Sequence, residues 1–311
     1  MKFGSEPEFS ARITQLAALN EALDLFQSRG YNGVDTACAY VRGHQEAFTR
    51  EAGWKKRGLV LAAKVKSPSN LGDNCAEKIL ASVETSLAEL GTDFVDPGNC
   101  PGPLGKRGKD RSSASSASAT SRPFELAEVV TMCKYNGWVR PTIYQGMCNI
   151  ITRKIDTEVF AACRRYGLDI VTYNSVGGGF FSGKIKQGVT PEDGRFSDLT
   201  KAGPRYRKRY YRDGVFQALR LVEGVAEKHG LGMIETALRW LLHHSELRVV
   251  NGNDGVLVGA ASVAQLKSNL DCLEKGLLPE DVVEAAEQAW QIAKGDSADY
   301  DTIDALFGAG R

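Results

Sequence analysis

Asp35, Tyr40 and Lys64 are the residues whose types and spacing could do chemistry. Asp35 ends the short run "GVD", Tyr40 follows five residues on, and Lys64 lies near the end of the next apolar run, "LVLAAKV". If the two runs are neighbouring parallel strands, all three side chains face one mouth of a barrel, where barrel enzymes keep their sites. A phenol with an ordinary pKa of about 10 donates a proton poorly at neutral pH. An adjacent ammonium favours the phenolate and lowers that pKa, and an aspartate can hold the ammonium in place. Such a trio suits protonation of a carbonyl oxygen. The same residues also have an ordinary reading as a turn cap, a rim tyrosine and a solvated lysine, and spacing alone does not separate the two.

The elements that must position them alternate along the chain. Leu16, Leu19, Leu23 and Phe26 share one face of a predicted helix over 14–29, and "YNGVDTA" follows as a strand. The rhythm continues with a helix at 45–53, a strand at 59–65, and a helix at 76–90 that aligns Ile79, Val83, Leu87 and Leu90. Beyond residue 122 the pattern predicts helices at 123–136, 156–166, 213–229, 232–244, 263–274 and 279–294. Strands are expected at 142–146, 169–174 and 255–260. Repeated strand and helix units mean a mostly parallel sheet, closed as a barrel or open and doubly wound.

Residues 97–121 break this rhythm. The stretch is rich in Ser, Gly, Pro and basic residues with one Leu, so it cannot bury enough apolar surface to offset its ordering entropy. Its composition predicts a disordered loop inside one domain spanning 1–311, since the halves before and after share one pattern and neither looks closed by itself.

Composition excludes several classes. The chain has 311 residues, 42% hydrophobic and 25% charged, with net charge +1, which gives no bulk attraction to nucleic acid or an anionic membrane. Seven scattered cysteines without C-x-x-C spacing argue against a disulfide framework and a structural zinc site, and His243 and His244 lack a third ligand, so no metal is expected. With no apolar leader and no long apolar stretch, the expected compartment is the cytoplasm. "GGFFSGKI" at 178–185 fits seven positions of a phosphate-binding loop but places Ile185 where a magnesium-binding hydroxyl is needed, so nucleotide hydrolysis is rejected. The run at 206–212, "YRKRYYR", reads as a solvated basic face.

Several motifs in combination resemble the aldo-keto reductases, and within them the aflatoxin-aldehyde-reductase-like branch and its fungal members. They are "GYNGVDTACAYVRGHQE", "LAAKVK", the long segment from "NGWVRPTIYQG" to "GGGFFSGK", and "GVLVGAASVAQLKSNL". The resemblance covers roughly residues 1–96 and 122–300. It implies a (β/α)8 TIM barrel that reduces an aldehyde or ketone with NADPH by direct hydride transfer, in fungal-type secondary-metabolite tailoring. A homodimer is implied by the nearest branch. The resemblance makes Tyr40 the general acid, with Lys64 and Asp35 beside it. It places Gln145 on the nicotinamide carboxamide, Tyr173 on the nicotinamide ring and Lys184 near the pyrophosphate. Gly259, Ser262, Gln265 and Asn269 fall to the adenosine end and its 2′-phosphate. Ser262 and Gln265 also form an S-x-x-Q capping box, and a helix N-terminus suits a phosphate.

The chain departs from the family pattern at its start and at 97–121. Pro97 follows "DFVD" where the family continues to a catalytic histidine, no His lies between His44 and His229, and no L-G-L-S-N strand follows. The barrel is therefore expected to be incomplete, with its first strand truncated and the strands around 97–121 disrupted. A GC-rich coding sequence for L-G-L-S-N read one base out of register gives Ser/Ala text of this kind, so a displaced frame or splice boundary is the leading account and a surface loop the alternative. The competing function is an inactive relative that at most binds NADP(H).

Overall fold

The computed structural model describes residues 3–6, 11–64, 75–93, 115–117, 122–200 and 202–299. The predicted alternation is present. Helix α1 (Leu16–Ser28) leads to strand β1 (Gly33–Asp35), then α2 (His44–Glu51), β2 (Val60–Ala62) and α3 (Ala76–Leu90). Then come β3 (Ser115–Ala117), α4 (Pro123–Asn136), β4 (Pro141–Met147), α5 (Lys154–Thr157), α6 (Val159–Tyr166) and β5 (Asp169–Tyr173). The last part holds α7 (Gly203–Tyr210), α8 (Asp213–Ala226), α9 (Met233–His243), β6 (Gly255–Val256), α10 (Val263–Leu273) and α11 (Glu280–Ala293).

Every strand pairing among these elements is parallel, in two arcs: β1 with β2, and β3 through β4 and β5 to β6. A core lies behind each arc. Leu19, Leu23, Phe48, Trp54 and Leu61 pack behind the first, and Tyr144, Ile155, Phe160, Ile170, Phe216 and Trp240 behind the second. Helix α9 joins them, since its Leu238 belongs to the first core and its Trp240 and Leu241 to the second.

Local chemistry sets the helix ends. Gly91, at φ 65°, ends α3, and its last carbonyls are capped from outside: Trp54 Nε1 donates to Leu90 O at 3.0 Å and Lys55 Nζ to Gly91 O at 2.7 Å. Pro123 opens α4, where the Arg122 N–H donates to Glu125 Oε2 at 2.7 Å, and Gly137 closes it.

Four points differ from the sequence reading. Residues 97–121 were expected to be loop throughout, yet Ser115–Ala117 pairs with β4, its register slipping between Ser115 and Ser116. The edge of β4 offers unpaired backbone donors and acceptors, and a parallel ladder takes up backbone whatever the side chains. The rest of the expected disruption, at 97–114 and 118–121, lies outside the described residues. The helix expected at 156–166 is split at Glu158 into α5 and α6, and β6 ends at Val256 rather than residue 260. Finally, α7 was not anticipated: "GPRYRKRY" carries no apolar stripe to announce a helix.

Candidate active site

Asp35 is the last residue of β1 and pairs in register with Ala62 of β2, which brings Lys64, two residues further on, alongside it. Lys64 Nζ donates to Asp35 Oδ2 at 2.5 Å and to Thr36 O at 2.7 Å. Both side chains are 15% exposed. Tyr40 opens a short 3-10 turn and presents its ring to the Lys64 ammonium, 4.8 Å from ring centroid to Nζ. Gln145, toward the end of β4, crosses to the other arc and donates from Nε2 to Asp35 Oδ1 at 3.0 Å. Met147 of β4 is in register with Tyr173 at the end of β5. Asp35, Tyr40, Lys64, Gln145 and Tyr173 are thus gathered from strand ends and the turn after β1.

The turn that carries Tyr40 is strained. Val41 and Arg42 have φ of 50° and 54°, and Gly43 follows at 99°. A β-branched residue in the left-handed region is a true outlier, and each such residue costs about 1–3 kcal/mol. Compensation comes from Val41, which is buried against Gly4, and from Gln45 of α2, whose amide reaches Phe3 N and Thr36 Oγ1.

The electrostatics differ from the sequence expectation. Burial, reinforced by the Asp35 carboxylate, pushes the Tyr40 phenol well above its ordinary value, while Arg195 pulls it down. The expected lowering by Lys64 is absent because burial lowers the Lys64 pKa while it raises that of Tyr40, so the ammonium loses its charge before the phenol ionises. Burial also lowers the Lys64 ammonium, with Asp35 opposing, and raises Tyr173.

Arg195, Tyr206 and Arg209 belong to this site and were missed by sequence reasoning, which took 206–212 for a solvated face. The ring of Tyr206 lies so close to Gly178 that a Cβ there would sit 2.3 Å from it, so glycine alone permits the approach. Arg195 Nη1 donates to Tyr206 Oη at 3.1 Å, and the guanidinium groups of Arg195 and Arg209 lie 5.4 and 5.5 Å from the Tyr206 ring centroid. The charge of Arg195 acts on Tyr40, and those of Arg209 and Arg205 on Tyr173. Tyr210 is buried, accepting from Asn149 Nδ2 at 3.2 Å and Asn174 Nδ2 at 2.6 Å. The one available signal was the alternation of aromatic and basic residues.

Four of the remaining expected residues, Gly259, Ser262, Gln265 and Asn269, lie together at the start of α10. Ser262 caps α10, accepting from Gln265 N at 3.2 Å, while Gln265 Oε1 accepts from Ala261 N at 2.9 Å. Asn269 is buried and donates to Gly259 O at 3.1 Å, so it shapes the loop that precedes the helix. Lys184 is exposed beyond the turn Gly177–Ser182. His44 is also exposed, and His243 and His244 are each bonded to backbone.

These residues fit a nicotinamide dinucleotide. Tyr173 is a half-buried aromatic ring beside Tyr40, three arginines supply positive charge around the pair, and the N-terminus of α10 is open to solvent with its cap formed.

Comparison with known proteins agrees. The sequence model of the Aldo/keto reductase family matches residues 1–97 and 116–291, breaking where the Ser- and Gly-rich stretch lies. An aldo-keto reductase of Pseudocercospora fijiensis is 34% identical over 298 residues, covering 89% of this chain and 99% of its own. The aflatoxin B1 aldehyde reductase member 2 of Rattus norvegicus is 34% identical, covering 96% and 85%. The aldo-keto reductase pigE of Monascus ruber is 27% identical, covering 91% and 90%. Among solved structures, a glycerol dehydrogenase of Gluconobacter oxydans superposes with a TM-score of 0.65 at 18% identity, covering 91% of this chain and 88% of its own. With parallel strands in two arcs and strand-end residues gathered at one site, the chain has the (β/α)8 fold and belongs to the aldo/keto reductase family, oxidoreductases that reduce carbonyl compounds.

Proposed function

We propose that this chain is an NADPH-dependent reductase of an aldehyde or ketone, built as one barrel and acting in fungal-type secondary-metabolite tailoring. The observation that carries the reading is the Asp35, Lys64 and Tyr40 cluster, with Gln145 joining it from the opposite arc. Bound NADPH would supply the hydride. Tyr40 would give the proton to the carbonyl oxygen, Lys64 would hold positive charge against the phenol ring, and Asp35 would fix Lys64. Tyr173 would lie on the nicotinamide ring and Gln145 would turn from Asp35 to the carboxamide. Arg195 and Arg209 favour a polyanionic ligand, as Lys184 and the Ser262 and Gln265 cap would at its phosphates. The fungal role is supported by the likeness to pigE and the Pseudocercospora fijiensis reductase.

The test is NADPH consumption with a panel of aldehydes and ketones, run beside NADPH binding. Wild type should consume NADPH, and Tyr40→Phe should bind it equally and consume none. Binding without consumption by wild type would overturn the proposal.

A second reading, an inactive relative that binds NADP(H), is favoured by one observation: the family match breaks where the family's histidine strand should stand. Loss of a positioned donor costs about two to four orders of magnitude in rate. Sequencing the transcript across the codons for residues 90–125 separates a true lesion from a displaced frame.

A further inference from the structure

Glu46 is a buried acid that the proposed chemistry does not use. It lies in the first turn of α2, three residues after the strained Val41–Gly43 backbone, and is fully buried. Neither carboxyl oxygen has a hydrogen-bond partner among the described residues. Its neighbour Gln45 reaches Thr36, whose carbonyl receives the Lys64 ammonium, so the first turn of α2 is docked beneath the Asp35 and Lys64 pair.

The groups facing Glu46 come from two further elements. From α3, the Ser86 hydroxyl lies beside the carboxyl outside bonding geometry, and Glu89 adds a like charge. From the end of β2 comes Lys64, which Asp35, Glu46 and Cys38 all act upon. Lys64 has three N–H donors, and Asp35 and Thr36 O take two. Burial without a hydrogen bond disfavours the Glu46 carboxylate strongly, as does Glu89, while Ser86 and Lys64 favour it; the outcome is a carboxyl held above the ordinary glutamate range.

We propose that Glu46 is a positioning residue for Lys64: a fully buried carboxyl, unbonded among the described residues, that becomes when ionised the second negative charge holding Lys64 as an ammonium beneath Tyr40. Two buried groups of opposite sign that act on one another titrate as a pair. When Glu46 loses its proton, Lys64 holds its own to higher pH, so the ammonium that supports Tyr40 persists over a wider range than Asp35 alone would provide. The alkaline limit of the proposed reductase is then set by Glu46 and Lys64 together.

The inference rests on the proposed function for its catalytic consequence alone, and the experiment separates the two. Carbon-13 NMR of glutamate carboxyls, with Glu46→Gln for assignment, follows the Glu46 titration without turnover. Its midpoint should lie above the ordinary glutamate range and rise further in Lys64→Met, which removes the cation favouring the carboxylate. In the activity arm, Glu46→Gln should move the alkaline limb of kcat/KM down by about one pH unit, whereas a merely structural loss would lower the plateau and leave the limb in place. A Glu46 midpoint in the ordinary range, or one unmoved by Lys64→Met, overturns the inference even if the enzyme is active. An inactive wild type with both NMR results as expected supports the coupling and removes the reductase reading.

Discussion

Replacing Asp35 by Asn removes one charge from the centre of the site with almost no change of shape. The Lys64 ammonium then stays buried without its carboxylate, since Thr36 O is neutral and the Tyr40 ring returns only a modest attraction. Removing one partner of a buried pair costs about 3–5 kcal/mol. Both side chains are 15% exposed, which places the loss at the lower end, about 3 kcal/mol. With an m-value of about 3 kcal/mol per molar urea for a chain of this size, the unfolding midpoint should fall by about 1 M at neutral pH. The sign of the pH dependence makes the test specific. Lys64 has its folded-state pKa lowered by burial, so its burial is unfavourable while it is charged and the penalty is relieved as pH rises through that lowered pKa. Without Asp35 the lowering deepens, and the gap between Asp35→Asn and wild type should narrow steadily as pH is raised above neutrality. Urea denaturation followed by tryptophan fluorescence at several pH values reads both effects. An unchanged midpoint at neutral pH, or a gap that does not narrow, would refute the reasoning.

Three further outcomes follow from other parts of the molecule. Arg153 grips the half-exposed Glu287 with two bonds of 2.8 Å, donates to Ile150 O and Ala286 O, and stacks 4.0 Å from the Trp240 ring centroid, so Arg153→Leu, which leaves those carbonyls unpaired, should cost about 1–3 kcal/mol and loosen α11 in hydrogen exchange. Asp156 is pushed up to about 7 by burial, against the pull of Arg153; its stabilising contribution is full below the unfolded-state value and is lost as pH rises through about 7. Asp156→Asn should flatten that decline, which thermal melts across the range will measure. Ser116→Pro removes a backbone N–H from the strand paired with β4 and fixes its φ, so amides of residues 142–144 should exchange faster, and unchanged protection would argue against that pairing.

How far the site could be read from sequence depended on how local its causes were. Helices α3 and α4 have the expected limits because an apolar stripe and a terminal glycine both lie within the segment. Asp35, Tyr40 and Lys64 were legible because a strand end fixes where its side chain emerges. Arg195, Tyr206 and Arg209 were not, since their approach depends on a bare glycine at position 178, and no spacing reports that contact. The helix α7 was hidden for a related reason: it buries Gly203 and Tyr210 rather than a stripe. Strand β3 was hidden too, because its pairing comes from the open edge of β4 and not from Ser and Ala. Glu46 could be seen in the "GHQE" turn, but its lack of partners is a property of packing alone.

The closures that link distant parts of the chain have a consequence for how it is made. Arg29 is bonded to Asp271 and Glu274, more than 240 residues later, and Arg153 to Glu287, 134 residues later. A ribosome delivers Arg29 and the Asp35, Tyr40 and Lys64 cluster well before the carboxylates that brace α1 and the β4 loop. During that interval the nascent chain holds open sheet edges and partly covered apolar faces, the condition in which chains aggregate or recruit chaperones. Loops of this length also slow the search for native contacts. The yield of folded protein should therefore respond to growth temperature and elongation rate more strongly than its final stability does.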